Sequence, residues 1–194
     1  MKNDPSKSIG QMLLKRIKAS PSACAIRHKQ GGTWHDVSWS ALGKRMEAIA
    51  SGLLTCGVEL PDRAAIAILG NTSASWIACD FAALSVSMRT VPVYATLLPP
   101  EAGYLHVDTE AVICIVENGA QLNKVRALRK GFTFFDTDYG PEAVKLQHLI
   151  VMDPTGVEPA DDWESLADLE KRGTEKLAET AAERARRSDD QGRG

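Results

Sequence analysis

The stretch from Asp62 to Thr96 constrains the fold more than any other part of the sequence. An apolar run of strand length, Ala64–Leu69, ends in Gly70-Asn71. Apolar residues at helical spacing follow (Trp76, Ile77, Phe81, Leu84), and a second apolar run, Thr90–Tyr94, closes the unit. Strand, helix and strand in that order make a parallel crossover, because an antiparallel return needs only a short hairpin. The unit points to an α/β architecture in which helices cover a mostly parallel sheet.

Two later apolar runs extend the pattern, Ala111–Val116 and Leu149–Met152, the second closed by Asp153-Pro154. Four strands with helices between them predict right-handed crossovers. Upstream, Ile9, Met12, Leu13 and Ile17 share one face and predict a first helix over Ser8–Lys18. Ala23–Lys29 and Thr33–Val37, joined through Gln30-Gly31-Gly32, predict an N-terminal β-hairpin. After Ser38-Trp39-Ser40 comes the strongest helical stripe, Leu42, Met46, Ile49 and Leu53, with Gly57 expected at C′. Pro99-Pro100-Glu101 starts a helix expected to end near Asp108, and Leu122, Val125 and Leu128 mark another ended by Gly131. Phe132–Pro141 has no clear period.

Beyond Pro154 the pattern predicts a loop, a short helix over Trp163–Lys171, and a helix-prone, Ala/Glu/Arg-rich stretch over Glu175–Arg187. The expected organisation is an α/β region over residues 1–154, a loop and helical extension over 155–187 that forms a helical C-terminal tail, and a disordered end over 188–194.

The composition is that of a soluble globular protein: 44% hydrophobic and 25% charged residues. A net charge of −2 gives no general attraction to nucleic acid or anionic lipid. No apolar run approaches the ~20 residues that span a bilayer, and the polar N-terminus does not read as a secretory signal. Cys24, Cys56, Cys79 and Cys114 are widely spaced in apolar surroundings, which predicts buried thiols in a reducing compartment. His28, His35, His106 and His148 are equally scattered, and no His/Cys pair has ligand spacing.

Few residues offer chemistry. Gly70-Asn71-Thr72 follows a strand and opens a helix, where anions bind in open α/β folds. Neither G-x-G-x-x-G nor G-x-x-x-x-G-K-[ST] occurs, so a turn with Asn71 or Ser73 as N-cap is the simpler reading. Asp80, on the Trp76/Leu84 side of its helix, reads first as a surface or capping residue, with a partly buried carboxylate able to act as a general base as the alternative. Asp108 and Glu110 flank a helix end and are expected in solvent. Trp76, Phe81 and Tyr94 read as core, with a ligand slot as the alternative. Arg184, Arg186 and Arg187 beside Glu183, Asp189 and Asp190 read as a solvated helix face. From these residues no catalytic, cofactor-binding or metal-ligating position is assigned.

A family resemblance emerges from the ordered set Asp62-Arg63-x-Ala65-Ile66, Asn71, Trp76, Asp80, Ala83-Leu84 and Val91-Pro92-Val93-Tyr94-x-Thr96. Before it stand Trp39, Leu42 and Ile49-Ala50-x-Gly52-Leu53-Leu54-x-x-Gly57-Val58. After it stand Tyr104-Leu105-x-x-Asp108-x-x-Ala111 and His148–Asp153. Together they resemble the N-terminal subdomain of AMP-forming acyl-CoA synthetases, adenylate-forming enzymes, with Pro-Val-Tyr-x-Thr closest to the long-chain fatty acid branch. The sequence departs at Pro61, where the family has Gly, and at Ser87-Met88-Arg89, where a Gly is usual near Ser87 and a long cation now precedes the strand.

The resemblance implies fatty acid activation through an acyl adenylate to acyl-CoA in the cytoplasm. For a full-length enzyme it implies ATP, magnesium, CoA and a fatty acid, with no nucleic acid and no transmembrane segment; peripheral membrane contact stays open. In the family a T-S-G-T-T-G-x-P-K phosphate loop follows a segment like Glu183–Asp190, whereas this sequence ends Gln191-Gly192-Arg193-Gly194. The expectation is therefore a segment truncated before that loop and inactive alone. The alternatives are a non-catalytic α/β interaction or binding module derived from the fold, and an unrelated nucleotide-binding domain.

Overall fold

The structure is a computed structural model that describes residues 8–190. Ser8 caps helix α1 (Ile9–Ala19) by accepting from the Gln11 amide. Strands β1 (Cys24–Gln30) and β2 (Thr33–Ser38) form the expected hairpin. Its two-residue turn is possible because Gly31 and Gly32 adopt φ values of +55° and +82°. Ser38 then caps α2 (Trp39–Leu54). That helix ends three residues before Gly57, which takes φ +79° in the bend beyond and is not the C′ residue.

The Asp62–Thr96 unit forms as expected: β3 (Ala65–Leu69), α3 (Ala74–Ser85) and β4 (Arg89–Val93). Strands β3 and β4 are parallel, with Ala65 opposite Arg89 and Leu69 opposite Val93. Pro92 is tolerated because β4 lies at the sheet edge. Ser87 takes φ +60°, the left-handed region that favours glycine. This conformation accounts for a glycine being usual at that turn. Arg89 does not disturb the strand entry: its amide donates to Ala64 O and its Nε to Arg63 O.

The chain continues through α4 (Pro99–Thr109), β5 (Ile113–Asn118), α5 (Gly119–Leu128), β6 (Phe132–Phe134), β7 (Thr137–Tyr139), β8 (His148–Asp153), β9 (Glu164–Ser165), α6 (Leu166–Glu175) and α7 (Ala181–Asp190). The main sheet has the order β4-β3-β5-β8-β9, and every pairing in it is parallel. Three expectations need correction. Phe132–Pro141 contains a small antiparallel hairpin, β6–β7. The segment read as one helix from Trp163 begins instead with β9, whose pairing to β8 fixes an extended backbone at Glu164 and Ser165. Ser188–Asp190 are helical, and Gln191–Gly194 lie outside the described residues.

The sheet separates two cores. Alternate side chains from β3, β5 and β8 (Ile66, Ile68, Ile113, Ile115, Ile150) meet α1, α2, α3 and α6 on one face. The other set (Ala65, Ala67, Cys114, Val116, Leu149, Val151) meets α4 and α5. This is the period-2 signature of strands buried on both faces. Helices α2 and α6 cross closely because Gly52 and Gly173 carry no Cβ. An added Cβ at Gly173 would stand 1.8 Å from Ala48 O, and one at Gly52 would stand 2.5 Å from Leu169 O.

Candidate functional site at the strand ends

Strand β4 lies on one side of β3 and β5 on the other. The winding therefore reverses between β3 and β5, and the carboxyl ends of those two strands frame the crevice in which open α/β sheets hold ligands. The residues placed there are Gly70-Asn71 after β3 and Glu117-Asn118 at the end of β5.

The crevice is closed by its own side chains. The Asn71 amide and Nδ2 both donate to Glu117 Oε2, at 3.0 and 2.9 Å. A Cβ on Gly70 would lie 2.7 Å from Glu117 Cβ, so glycine is needed for this approach. The helix N-termini beside the crevice are also capped. Ser73 Oγ accepts from the Trp76 amide, and Asn118 Oδ1 accepts from the amides of Ala120 and Gln121. Lys124 Nζ donates to the carbonyls of Ala95 and Leu97, each at 2.8 Å, which pins the loop after β4. A carboxylate thus stands at the strand ends, and the nearby amides of Asn71, Trp76, Ala120 and Gln121 already have side-chain acceptors. These residues do not fit a nucleotide phosphate or its magnesium. Among the described residues no group of three or more His, Cys, Asp or Glu side chains could hold a metal ion.

The sequence pointed to the Gly70-Asn71 turn, but not to Glu117, which is 46 residues away. Asp80 is half-buried; burial raises its pKa, and a hydrogen bond with Thr90 opposes the shift. Thr90 lies at the amino end of β4, so Asp80 belongs to the opposite end of the strands from the crevice. Trp76 and Phe81 pack against the first core as expected, whereas Tyr94 is 75% exposed, so the core reading fails at Tyr94 and the three do not form a slot. Glu110 pairs with Lys145 at 2.6 Å, and Asp108 is exposed.

The arginine cluster corrects its sequence reading. Arg187 is buried, donating from Nη2 to Leu60 O and from Nε to Glu183. Arg186 bridges Glu183 and Asp62. Ser87 Oγ donates to Arg187 O. These contacts fasten α7 against the segment that enters β3; the solvated-face reading fails at Arg187, which is buried, and holds for Arg186 and Asp189, which are exposed. Cys24 is exposed and Cys56 partly buried, while Cys79 and Cys114 are buried, and all four are free thiols. The expectation of buried thiols thus fails at Cys24, on the exposed edge of the hairpin.

Two polar arrangements had no sequence signal. Glu164 on β9 bonds to His148 on β8 and to Arg172 on α6. Burial works against its charge, but the hydrogen bonds from His148 and Arg172 prevail and hold its pKa at about 2. His106 on α4 is 0% exposed, with Nδ1 unpartnered and Nε2 3.9 Å from Cys114 Sγ. Both arrangements tie elements together, and neither opens onto the crevice.

Comparison with known proteins adds what the geometry alone does not. The family described as AMP-binding enzyme matches residues 13–186. The long-chain-fatty-acid–CoA ligase FadD15 of Mycobacterium bovis is 28% identical over 121 residues, covering 62% of this chain and 20% of that protein. The long-chain-fatty-acid–CoA ligase ACSBG2 of Xenopus laevis is 29% identical over 121 residues, covering 62% of this chain and 16% of that protein. This chain thus spans about a fifth of the length of the curated relatives it matches. Among solved structures, a Mycobacterium tuberculosis fatty acyl CoA synthetase superposes with a TM-score of 0.63 at 20% identity, covering 87% of this chain and 29% of that one. Coronafacic acid ligase from Pectobacterium brasiliense superposes with a TM-score of 0.67 at 15% identity, covering 84% and 29%. At these identities the superpositions speak for the fold.

Proposed function

We propose that this chain, which belongs to the AMP-binding enzyme family, is the N-terminal scaffold segment of a long-chain fatty acid–CoA ligase and is inactive by itself. The observation that carries the proposal is the closed crevice: Glu117 fills the strand-end site through both Asn71 donors. Such a segment supplies a rigid α/β layer, and the residues that bind phosphate belong to other parts of the enzyme. In the complete reaction ATP and a fatty acid give an acyl adenylate and pyrophosphate, and CoA then displaces AMP. Preorganised charge stabilisation is the main requirement of the first step, and the crevice presents a carboxylate where donors would be needed.

We place the reaction in the cytoplasm; no helix among the described residues is long and apolar enough to cross a membrane. The test is ATP–pyrophosphate exchange with palmitate and magnesium on the purified chain. The expected result is exchange indistinguishable from a no-protein control, and turnover above it would overturn the proposal.

A second reading has support of its own. Helices cover both faces of the sheet, so the chain has the internal layers of a self-contained α/β interaction module. Stoichiometric recovery of one partner with the folded chain would favour that reading over the scaffold segment.

A further inference from the structure

The N-terminal hairpin brings together two histidines that are scattered in the sequence. His28 on β1 and His35 on β2 stand directly opposite each other in the antiparallel register. Opposed side chains on one face of such a pair are held within reach of each other by the ladder. Their rings stack, with centroids 5.7 Å apart and an interplanar angle of 29°. The neighbouring pair on the same face, Ile26 and Val37, packs against the first core. On the other face Arg27 bonds both oxygens of Asp36, at 2.6 and 2.7 Å. The register of the two histidines is therefore set by their neighbours, and an occupant would not have to assemble the pair.

Both rings are available. Beyond their stacking, neither has a hydrogen bond or an ion pair among the described residues. His35 is exposed and His28 partly so. The other two histidines differ: His106 is buried, and His148 is bonded to Glu164. Imidazole nitrogens suit copper, nickel and zinc better than magnesium or calcium, which take oxygen ligands. Two metal–nitrogen bonds of about 2.0–2.1 Å set ring centroids roughly 4.5–6 Å apart, as the angle at the ion widens from a right angle. The spacing of His28 and His35 falls in that range. The terminal torsion of histidine is broad, so each ring can turn one nitrogen towards a shared ion.

We propose that His28 and His35 chelate a single divalent transition-metal ion of the imidazole-binding class, with water in its remaining positions. The site shares no residue with the strand-end crevice, and it stands whether or not the chain takes part in acyl activation.

Isothermal titration of the purified chain with nickel(II) chloride tests the proposal, with magnesium chloride as the control. Saturable one-to-one binding of nickel is expected, with no binding of magnesium. His28→Gln and His35→Gln should each weaken nickel by at least about tenfold, because either change ends chelation. The double variant should then bind little more weakly than either single one, the non-additivity expected of two ligands to one ion. Absence of nickel binding, comparable binding of magnesium, or unchanged affinity in the single variants would each overturn the proposal. So would two ions per chain with one site left intact in each single variant, since the histidines would then act separately. Should His28→Gln fail to fold, His35→Gln decides the question alone, because His35 is at the surface.

Discussion

At the scale of single residues, His106 is the group most at odds with its surroundings. It is wholly buried in the α4–β5 layer, its Nδ1 has no partner, and its only polar neighbour through Nε2 is a thiol. Burial lowers its pKa from 6.5 to about 4. The unfolded chain therefore binds a proton at a pH where the folded chain refuses it. By linkage, stability falls as the pH drops from about 6.5 towards 4, by up to roughly 3 kcal/mol in all. Above that window the residue contributes no slope. His106→Leu should remove this share of the pH dependence between 6.5 and 4, leaving the part that carboxylates such as Glu164 add below about 4.5, and should keep the fold intact at pH 7. Urea unfolding at pH 7, 5.5 and 4.5 measures it; an unchanged slope in the variant would show that another group is responsible. The same kind of residue reading explains what was visible at the crevice. Asn71 stood out because a turn after a strand has a local signature. Glu117 did not, because a side chain that reaches across from a neighbouring strand has none.

At the scale of elements, local pattern and tertiary constraint part company. Strands β3, β5 and β8 were legible because burial on both faces writes apolar runs bounded by breakers into the sequence, and the edge strand β4 because Thr90–Tyr94 closes the crossover after α3. Strand β9 has two residues and β6 and β7 three each. Segments that short are made by their pairing, so periodicity cannot reveal them. Nor did the sequence reveal the α2–α6 crossing, which depends on Gly52 and Gly173 in helices far apart along the chain. In isolation each glycine weakens its helix; together they let backbone meet backbone. Gly173→Ala would place a Cβ 1.8 Å from Ala48 O and 2.6 Å from Gly52 N. The expected cost is about 3 kcal/mol, at the upper end for overpacking a tight contact. Lys171→Ala, an exposed position on the same helix, should change stability by no more than about 0.5 kcal/mol. Equilibrium urea denaturation of the two variants separates close backbone approach from simple helix propensity, since propensity alone would make Gly173→Ala stabilising.

At the scale of the whole molecule, the question is whether two cores behave as one. Chains of this length are not guaranteed to unfold in a single step. Here the same strands serve both layers: Ile113 and Ile115 of β5 face the α2 side, and Cys114 and Val116 face the α5 side. Loosening either layer exposes the strand that supports the other. The coupling should make unfolding cooperative, and the tryptophans report on each side separately. Trp39 and Trp76 pack against the first core and Trp163 against the second, while Trp34 is 64% exposed. In a Trp163→Phe variant the buried fluorescence comes from the first core. In a Trp39→Phe/Trp76→Phe variant it comes from the second. Each variant's fluorescence midpoint in urea should match its own far-ultraviolet dichroism midpoint within error. A second-core transition at lower urea than the dichroism would show that α4 and α5 detach first, and the sheet would then be a shared floor for two separable layers instead of one folding unit.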